Sequence, residues 1–347
     1  MFPLNVDSPY PREQWWVAAY ADEIDEKITA MTILGERIIF YRTKSQEVVA
    51  LFGYCPHRSF PFEKSTLVGD AVQCAYHGFT FDKAGACIKV PSQSAIPKNS
   101  SVRRFPVLES GGLIWIWTGA PERADPSLLP DLASIGLAEG WQCDKGPAVE
   151  VNCRYTLLID NLLDLSHVSF IHAESIPGSA AVVMSEAKLH ENSALLRIER
   201  EGQNLPSNPF FKMLFPAYDG DVNQHFDATY CSPGFIYTGG ANHAAKTGEY
   251  LGTLHFIHLI TPETPSRLKY RVITARNFQQ KNKVLSDVFL KMGEAILPED
   301  IMAVESIEHA LQSYNTRPKE LSCIVDTGAL KVRQRLEKQI KAESIQA

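Results

Sequence analysis

Short apolar runs separated by turn residues dominate the first third of the chain. The runs are rich in β-branched and aromatic residues, and Gly, Pro and Ser stand between them. This pattern is typical of short strands joined by tight turns, so it predicts a small all-β unit over residues 30–118. The most strongly apolar runs are Ile38–Tyr41, Val48–Phe52 and Leu113–Trp117.

The pattern becomes mixed after residues 119–131, a Pro- and Asp-rich stretch typical of a linker or surface loop. We therefore expect an α+β chain with one domain at residues 1–120 and a second at residues 121–347. In the second domain, helical periodicity is predicted for 155–172, 283–313 and 330–345, and strands are predicted for 250–260 and 268–278 around a hairpin loop at 261–265.

Composition narrows the function classes. The chain has 347 residues, 45% of them hydrophobic and 21% charged, which suits a globular protein of about two domains. We find no apolar stretch of about eighteen residues, and the first residues do not resemble a signal peptide, so we expect a soluble, cytoplasmic protein without a membrane partner. The net charge of −6 argues against a nucleic-acid partner.

Two Cys and His clusters carry the strongest chemical signal. Cys55 and His57 flank one residue, Cys74 and His77 flank two, and sixteen residues separate the pairs. In a Rieske [2Fe–2S] centre one iron is held by two Cys and the other by two His, which this alternation supplies. Structural zinc is the alternative, but zinc-finger spacing keeps the two Cys together and the two His together. The pattern thus predicts a Rieske cluster that handles single electrons.

The segment that carries these clusters is locally basic. Residues 55–104 hold seven Lys or Arg against three acidic residues, a net charge of +4, whereas the rest of the chain is at −10. A basic face would attract an acidic electron-donor protein. An ordinary solvated surface explains the same charges equally well.

A second group of polar residues interrupts the apolar segment 155–172. Asn161, Asp164, His167 and His172 lie within it. Two His and one carboxylate form the facial triad of non-haem Fe(II) oxygenases. His167 and His172 are five residues apart and would diverge on a regular α-helix, so we expect the helix to break or to carry a π-turn there. The alternative is that His172 merely caps or follows the helix.

The third ligand of such a triad must come from a distant part of the chain. Acidic residues in the predicted helix 283–313 are candidates, although each would ordinarily be a solvated helix charge. Composition alone does not choose among Asp287, Glu294, Glu299, Asp300 and Glu305.

These motifs resemble the terminal oxygenase component of Rieske non-haem iron oxygenases, most closely the group of vanillate O-demethylase and the dicamba and toluenesulfonate methyl monooxygenases. The resemblance runs over nearly the whole chain. It rests on Trp15–Ala18, Cys55–Arg58, Cys74–Gly78, Asp160–His167, His172, Ile260–Thr264, Ala275–Phe278 and Glu299–Asp300.

The resemblance implies a fold and roles for individual residues. An all-β Rieske domain would precede a helix-grip, START-like catalytic domain with an antiparallel sheet. His167, His172 and Asp300 would bind the mononuclear iron, and Asn161 would lie beside it. Asp164 would connect His167 to a cluster ligand of the adjacent subunit in a homotrimer.

The resemblance also implies an activity. The chain would be a monooxygenase that O-demethylates or hydroxylates a small aromatic substrate with O₂, and hydroxylation of a methoxy carbon would release formaldehyde. No flavin, nicotinamide or plant-type ferredoxin motif is evident, so electrons would come from NAD(P)H through a separate ferredoxin or flavin reductase. A ring-hydroxylating dioxygenase and a Rieske electron-transfer protein without oxygenase activity are the alternatives.

Substrate residues are less clearly marked. His258 falls on the apolar face of a predicted strand, as a core histidine would, but by the resemblance it would contact a substrate carboxylate. Asn242 and His243 are either pocket donors or turn residues. Residues 202–220 form an apolar, Pro-interrupted segment that would be a lid over a pocket or part of a trimer interface.

Overall fold

The computed structural model describes residues 10–176, 180–316 and 319–346. These residues form two compact units. The first unit comprises residues 10–129 together with 261–264, and the second comprises the other described residues from 130 onward. Within the described ranges, no helix is both long enough and apolar enough to cross a membrane.

The first unit consists of three antiparallel sheets. Its innermost strands are those with unbroken apolar sequence, since every residue of β1 (Trp15–Tyr20) and β11 (Leu113–Trp117) is buried. The sheets have the strand orders β1-β11-β10, β2-β3-β4-β9 and β5-β6-β7-β8. The remaining strands are β2 (Thr29–Ile33), β3 (Glu36–Arg42), β4 (Val48–Phe52), β5 (Thr66–Val68), β6 (Ala71–Gln73), β7 (Thr80–Phe81), β8 (Cys87–Lys89), β9 (Arg104–Phe105) and β10 (Val107–Ser110).

The second unit is built on one antiparallel sheet in the order β12-β19-β18-β17-β16-β15-β14, with β13 also pairing with β19. Strand β15 alternates buried and half-exposed residues over most of its length, as expected when helices cover one face of the sheet. The α+β prediction is therefore confirmed. The strands are β12 (Gln142–Lys145), β13 (Val149–Val151), β14 (Lys188–Glu191), β15 (Leu196–Leu205), β16 (Val222–Ser232), β17 (Phe235–Ala244), β18 (Tyr250–Thr264) and β19 (Arg267–Arg276).

The helices of the second unit agree with the periodicity in part. The longest covers the predicted range 283–313, and the terminal helix covers 327–346, close to the prediction. The predicted helix 155–172 breaks after Leu163 and continues as a 3₁₀ turn and a short helix. The helices are α1 (Leu132–Ile135), α2 (Tyr155–Leu163), α3 (Val168–Ile171), α4 (Ala180–Val183), α5 (Pro209–Leu214), α6 (Lys283–Ser313) and α7 (Thr327–Gln346).

The predicted hairpin loop at 261–265 is too wide. Strand β18 continues through Thr264, and β19 begins at Arg267. Residues 261–264 stay extended because the first unit supplies their hydrogen bonds. The hydroxyl of Thr261 donates to the Val17 carbonyl at 2.6 Å, and the carbonyls of Pro262 and Glu263 accept main-chain N–H groups at 2.8 and 2.9 Å.

The predicted loop 202–220 is also shorter than expected. Strand β15 extends to Leu205, and α5 begins after Asn208, whose side chain accepts the Phe211 N–H at 3.0 Å. Phe211 and Leu214 are buried in an apolar cluster with residues of β18 and α6. These side chains therefore belong to the core of the second unit rather than to an exposed lid or interface, because burying them removes apolar surface from water.

An ion pair joins α2 to α7. The guanidinium of Arg333 donates to both carboxylate oxygens of Asp160, at 2.5 Å for the shortest contact, and to Glu320 at 2.7 Å. Both partners of the Asp160 pair are largely shielded from solvent. Asp160 thus holds α2, the helix that also carries Asn161, against α7.

We expect Asp160→Ala to destabilise the second unit by about 3 kcal/mol, because it removes the carboxylate that accepts three hydrogen bonds from the largely buried guanidinium of Arg333. The measurement is urea unfolding followed by circular dichroism. Lys341→Ala is the control, since its pair with Glu337 on the same helix is exposed and should contribute less than about 0.5 kcal/mol. Equal effects of the two changes would contradict the structural role of Asp160.

Candidate metal centres

The two Cys and His clusters form two loops with the same main-chain geometry. In the first loop the Cys55 N–H donates to the Phe60 carbonyl at 2.9 Å, and the Ser59 N–H donates to the Cys55 carbonyl at 2.8 Å. The second loop repeats both bonds. The Cys74 N–H donates to the Phe79 carbonyl at 2.8 Å, and the Gly78 N–H donates to the Cys74 carbonyl at 2.9 Å. The residues that close the loops, Ser59 and Gly78, have positive φ values of 51° and 72°. A positive φ favours glycine, which the second loop has at this position.

The side chains of these loops point toward one another. The rings of His57 and His77 are 4.7 Å apart, and His57 stacks on Phe79 at 4.6 Å. The two Cys are buried and the two His are exposed. The imidazole edge of the site is therefore the edge open to solvent.

The pairing of the side chains fits a dinuclear cluster. The Cys55 and Cys74 side chains face each other across the two loops, and so do the imidazoles of His57 and His77, so like ligands are paired. Burial raises the pKa of the Cys55 thiol to about 11, so a thiolate there needs the positive charge of a bound metal. Two thiolates and two neutral imidazoles match the ligand set of a Rieske centre.

The second centre brings together His167, His172 and Asp300. The Nε2 atoms of His167 and His172 lie 3.4 and 3.1 Å from Oδ1 of Asp300. All three ligand atoms fall within 4.8 Å of one another. This donor set is the facial triad of non-haem Fe(II) sites, in which three protein ligands leave further positions for small molecules.

Both imidazoles are oriented by protein contacts at Nδ1. Nδ1 of His172 lies 2.6 Å from a carboxylate oxygen of Glu299, which also accepts the Ser175 hydroxyl. Nδ1 of His167 lies 2.5 Å from the main-chain oxygen of Asp164. Because acceptors hold the proton on Nδ1, the Nε2 lone pairs are free to face a metal, which is the usual arrangement of metal-bound His.

The electrostatics of the group suit a cation. Burial acts to raise the pKa of Asp300, but the two imidazoles lower it overall. Burial acts to lower the pKa of His172, but Asp300 and Glu299 raise it overall. The carboxylate therefore stays ionised, and the imidazole of His172 lies where a positive charge is stabilised.

Asn161 completes the polar surroundings of the carboxylate. Its Nδ2 donates to Oδ1 of Asp300 at 3.1 Å, whereas its Oδ1 is buried without a hydrogen-bond partner. An orphan acceptor is costly in an interior. A metal with its bound water would supply the missing donor, so the residues fit a metal at this position.

The break in the helix explains how two His five residues apart meet. Asp164 is extended and its carboxylate accepts the Ser166 N–H at 3.0 Å, which starts the 3₁₀ turn Leu165–His167. The rings of His167 and His172 then lie 5.3 Å apart. The predicted break is present as a 3₁₀ turn rather than a π-turn. The contact from Asp164 to His167 uses the main-chain oxygen, which leaves a carboxylate oxygen for another partner.

Of the five candidate carboxylates on α6, Asp300 contacts both imidazoles. Glu299 contacts His172 from the other side of the ring, a supporting role that sequence reasoning missed although Glu299 precedes the ligand directly. Glu305 instead accepts two bonds from Asn152, and Asp287 and Glu294 are exposed.

His258 is buried with partners on both ring nitrogens. Nδ1 lies 2.6 Å from the Tyr270 hydroxyl, and Nε2 lies 3.2 Å from the Thr238 hydroxyl. Burial lowers the pKa of His258 to about 4, although the charge of Asp300 acts in the opposite direction. The imidazole is therefore neutral at pH 7. Neither partner residue was anticipated from the sequence.

Asn242 and His243 lie on β17 rather than in a turn. Asn242 is almost fully buried, and its Oδ1 accepts the Gln224 side-chain amide at 3.2 Å. His243 makes edge contacts with His225 and Tyr250. Because neighbours in a strand point to opposite faces, the two residues do not share one surface.

Two family models match the chain. The Rieske [2Fe-2S] domain matches residues 14–106, and the vanillate O-demethylase oxygenase C-terminal domain matches residues 151–342. The first match includes both Cys and His loops, and the second includes the facial triad.

Similar proteins match nearly the whole chain. The oxygenase component of dicamba O-demethylase from Stenotrophomonas maltophilia is 30% identical over 95% of this chain and 97% of its own length. The crystal structure of dicamba monooxygenase bound to 3,6-dichlorosalicylic acid superimposes with a TM-score of 0.86 at 28% identity, covering 96% of this chain and 99% of that one. A structure of that enzyme with non-heme iron and dicamba gives a TM-score of 0.82 at 29% identity, covering 97% and 99%. The chain therefore belongs to the Rieske non-haem iron oxygenases, as an oxygenase component of the vanillate O-demethylase group.

Proposed function

We propose that the chain O-demethylates a small aromatic acid, with O₂ as co-substrate and electrons from NAD(P)H delivered by a separate ferredoxin or flavin reductase. One observation carries the proposal: the same chain holds two Rieske loops and a triad of half-buried His167 with buried His172 and Asp300. A cluster alone suits electron transfer, and the triad adds a site for oxygen chemistry. The relative named as an oxygenase component acts on an O-methyl group, which supports demethylation over ring hydroxylation.

The residues of the triad would hold a mononuclear Fe(II), which in such sites supplies the activation of O₂. Glu299 and the Asp164 carbonyl fix the tautomers and ring orientations of the two His. Asp300 contributes the single anionic ligand, and Asn161 holds its oxygen in place. The chain thus supplies orientation and charge, so that small changes in these contacts should lower activity strongly.

We also propose a ring-shaped homotrimer in which the cluster of one subunit serves the iron of the next. Exposure of His57 and His77 supports this arrangement, because the imidazole edge of the cluster is available to a neighbouring chain. The carboxylate oxygen of Asp164 that does not cap the 3₁₀ turn would accept the imidazole N–H of such a neighbour. A closed head-to-tail ring satisfies this contact in every subunit.

Turnover with a panel of aromatic acids tests the function. The holoprotein is supplied with a flavin reductase, NADH and either methoxylated or unsubstituted benzoic acids, and formaldehyde, ring phenols and cis-diols are measured. The proposal predicts formaldehyde from the methoxylated acids in step with NADH consumption. cis-Diols from unsubstituted acids would instead identify a ring-hydroxylating dioxygenase, and reduction of the cluster without any product would identify an electron carrier.

We expect His258→Ala to weaken the binding of aromatic acids by about tenfold, provided that a substrate takes over one of its two hydrogen bonds. Equilibrium dialysis of a methoxybenzoate against the variant measures the effect. Tyr270→Phe, which removes one protein partner of His258, is the matched comparison. Unchanged affinity with a lower melting temperature would assign His258 to the core alone.

A further inference from the structure

Arg200 is a buried guanidinium without a counter-ion. The Arg200 residue is 5% exposed. Among the described residues no carboxylate forms a hydrogen bond or ion pair with its guanidinium, and the charge of Asp164 acts on it only from a distance. One nitrogen, Nη1, donates to the Ser185 carbonyl, whereas Nε is buried without a partner. Because an unpaired charge in an interior is costly, such a group usually has a partner in the functional complex.

The guanidinium lies on the helix-covered face of the sheet. Along β15 the residues Leu196, Ile198 and Arg200 are buried, and the alternate positions are half-exposed. Ser185 follows α4, and α4 packs against both β15 and the 3₁₀ turn that carries His167. The charge of Asp164, at the start of that turn, acts on Arg200. Arg200 therefore faces the layer that contains the candidate iron ligands.

The edge of Arg200 that remains available suits an acid. Nε and Nη2 form the side of a guanidinium that binds two oxygens of one carboxylate or sulfonate. Nη1 is already occupied by a main-chain carbonyl, and no described acceptor contacts Nη2. His258, the other candidate for acid recognition, is neutral and has both nitrogens engaged. Of these two groups, Arg200 supplies the positive charge.

We propose that Arg200 binds the anionic group of the substrate, a carboxylate or sulfonate on the aromatic ring, through its Nε and Nη2 edge. This inference rests on the proposed function, which defines the substrate as an aromatic acid, but the binding of such acids can be measured without turnover. It assigns the selection of acids over neutral aromatics to a strand residue outside the iron ligands.

The test compares binding of three probes to the holoprotein by equilibrium dialysis without reductant. The probes are 4-methoxybenzoate, 4-methoxybenzenesulfonate and the neutral 4-methoxybenzyl alcohol. The wild-type chain should prefer at least one acid to the alcohol. Arg200→Gln should raise the Kd of the preferred acid by about 10- to 100-fold and leave the alcohol within about threefold. Arg200→Lys, which keeps the charge but not the paired donors, should fall between these values.

Arg197→Gln is the matched control, because Arg197 lies on the same strand, faces the other side and pairs with Glu199 and Asp227. It should leave all three affinities unchanged. Equal weakening of acids and alcohol in Arg200→Gln, or no preference for acids in the wild-type chain, would overturn the proposal. Loss of acid binding without formaldehyde production in the wild type would instead support Arg200 and contradict the demethylase assignment.

Discussion

Asp300→Asn should reduce the iron content from about three to about two atoms per chain and lower turnover by at least about 1,000-fold. The change removes the one anionic ligand of the triad and the acceptor shared by His167, His172 and Asn161. The Rieske loops contain none of these residues, so the cluster should keep its visible absorption and its electron paramagnetic resonance signal. Metal analysis, spectroscopy and turnover on one preparation measure all three effects.

Asp287→Asn is the control for this change, since it makes the same substitution at an exposed position of the same helix. It should leave iron content and turnover unchanged. Retention of three irons by Asp300→Asn would show that a different carboxylate completes the site. Glu299 would then be the first to test, because it contacts His172 directly.

Asp164→Asn should keep both metal centres and still lose turnover by about 100-fold. The variant preserves the two contacts that the oxygens of Asp164 make with Ser166 and His167 within the chain. Its side-chain oxygen can accept the Ser166 N–H, and its main-chain oxygen still faces His167. What disappears is the negative charge and one acceptor oxygen, which we propose to meet the cluster of a neighbouring subunit.

Rapid mixing of reduced protein with O₂ and substrate separates this effect from a loss of metal. In the wild type the cluster should be oxidised in step with product formation, and in Asp164→Asn that oxidation should slow while iron content stays the same. Full activity in the variant would contradict the bridging role. Loss of iron in the variant would place Asp164 among the residues that build the site rather than those that connect two subunits.

Local chemistry explains which parts of the site could be predicted from the sequence. The Cys and His loops could be predicted from spacing, because the two ligands of each loop are only two or three residues apart. The break between His167 and His172 follows from geometry, since a regular helix would direct the two rings apart. Helix α6 follows from an apolar period sustained over 31 residues, with Pro298 inside it.

Other parts depend on contacts between distant residues. Glu299 and Asp300 are neighbours, and composition does not choose between them. The family resemblance indicated Asp300, but the physical reason that its side chain faces both imidazoles lies in the packing of α6 on α2. The extension of β18 through Thr264 depends on hydrogen bonds to residues 17, 34 and 35. The role of Arg200 was missed because its sequence neighbours are charged, and the absence of a counter-ion is visible only when the strand is placed in the sheet.

The central claim is that the cluster feeds electrons to an oxygenating iron that acts on a methoxy group. A single-turnover experiment tests it most directly: fully reduced holoprotein, without reductase, is mixed with O₂ and each of several methoxybenzoates. We predict that at least one acid accelerates oxidation of the cluster and releases formaldehyde in proportion to the electrons lost. Oxidation at the same slow rate with and without every acid, and no formaldehyde, would contradict the claim.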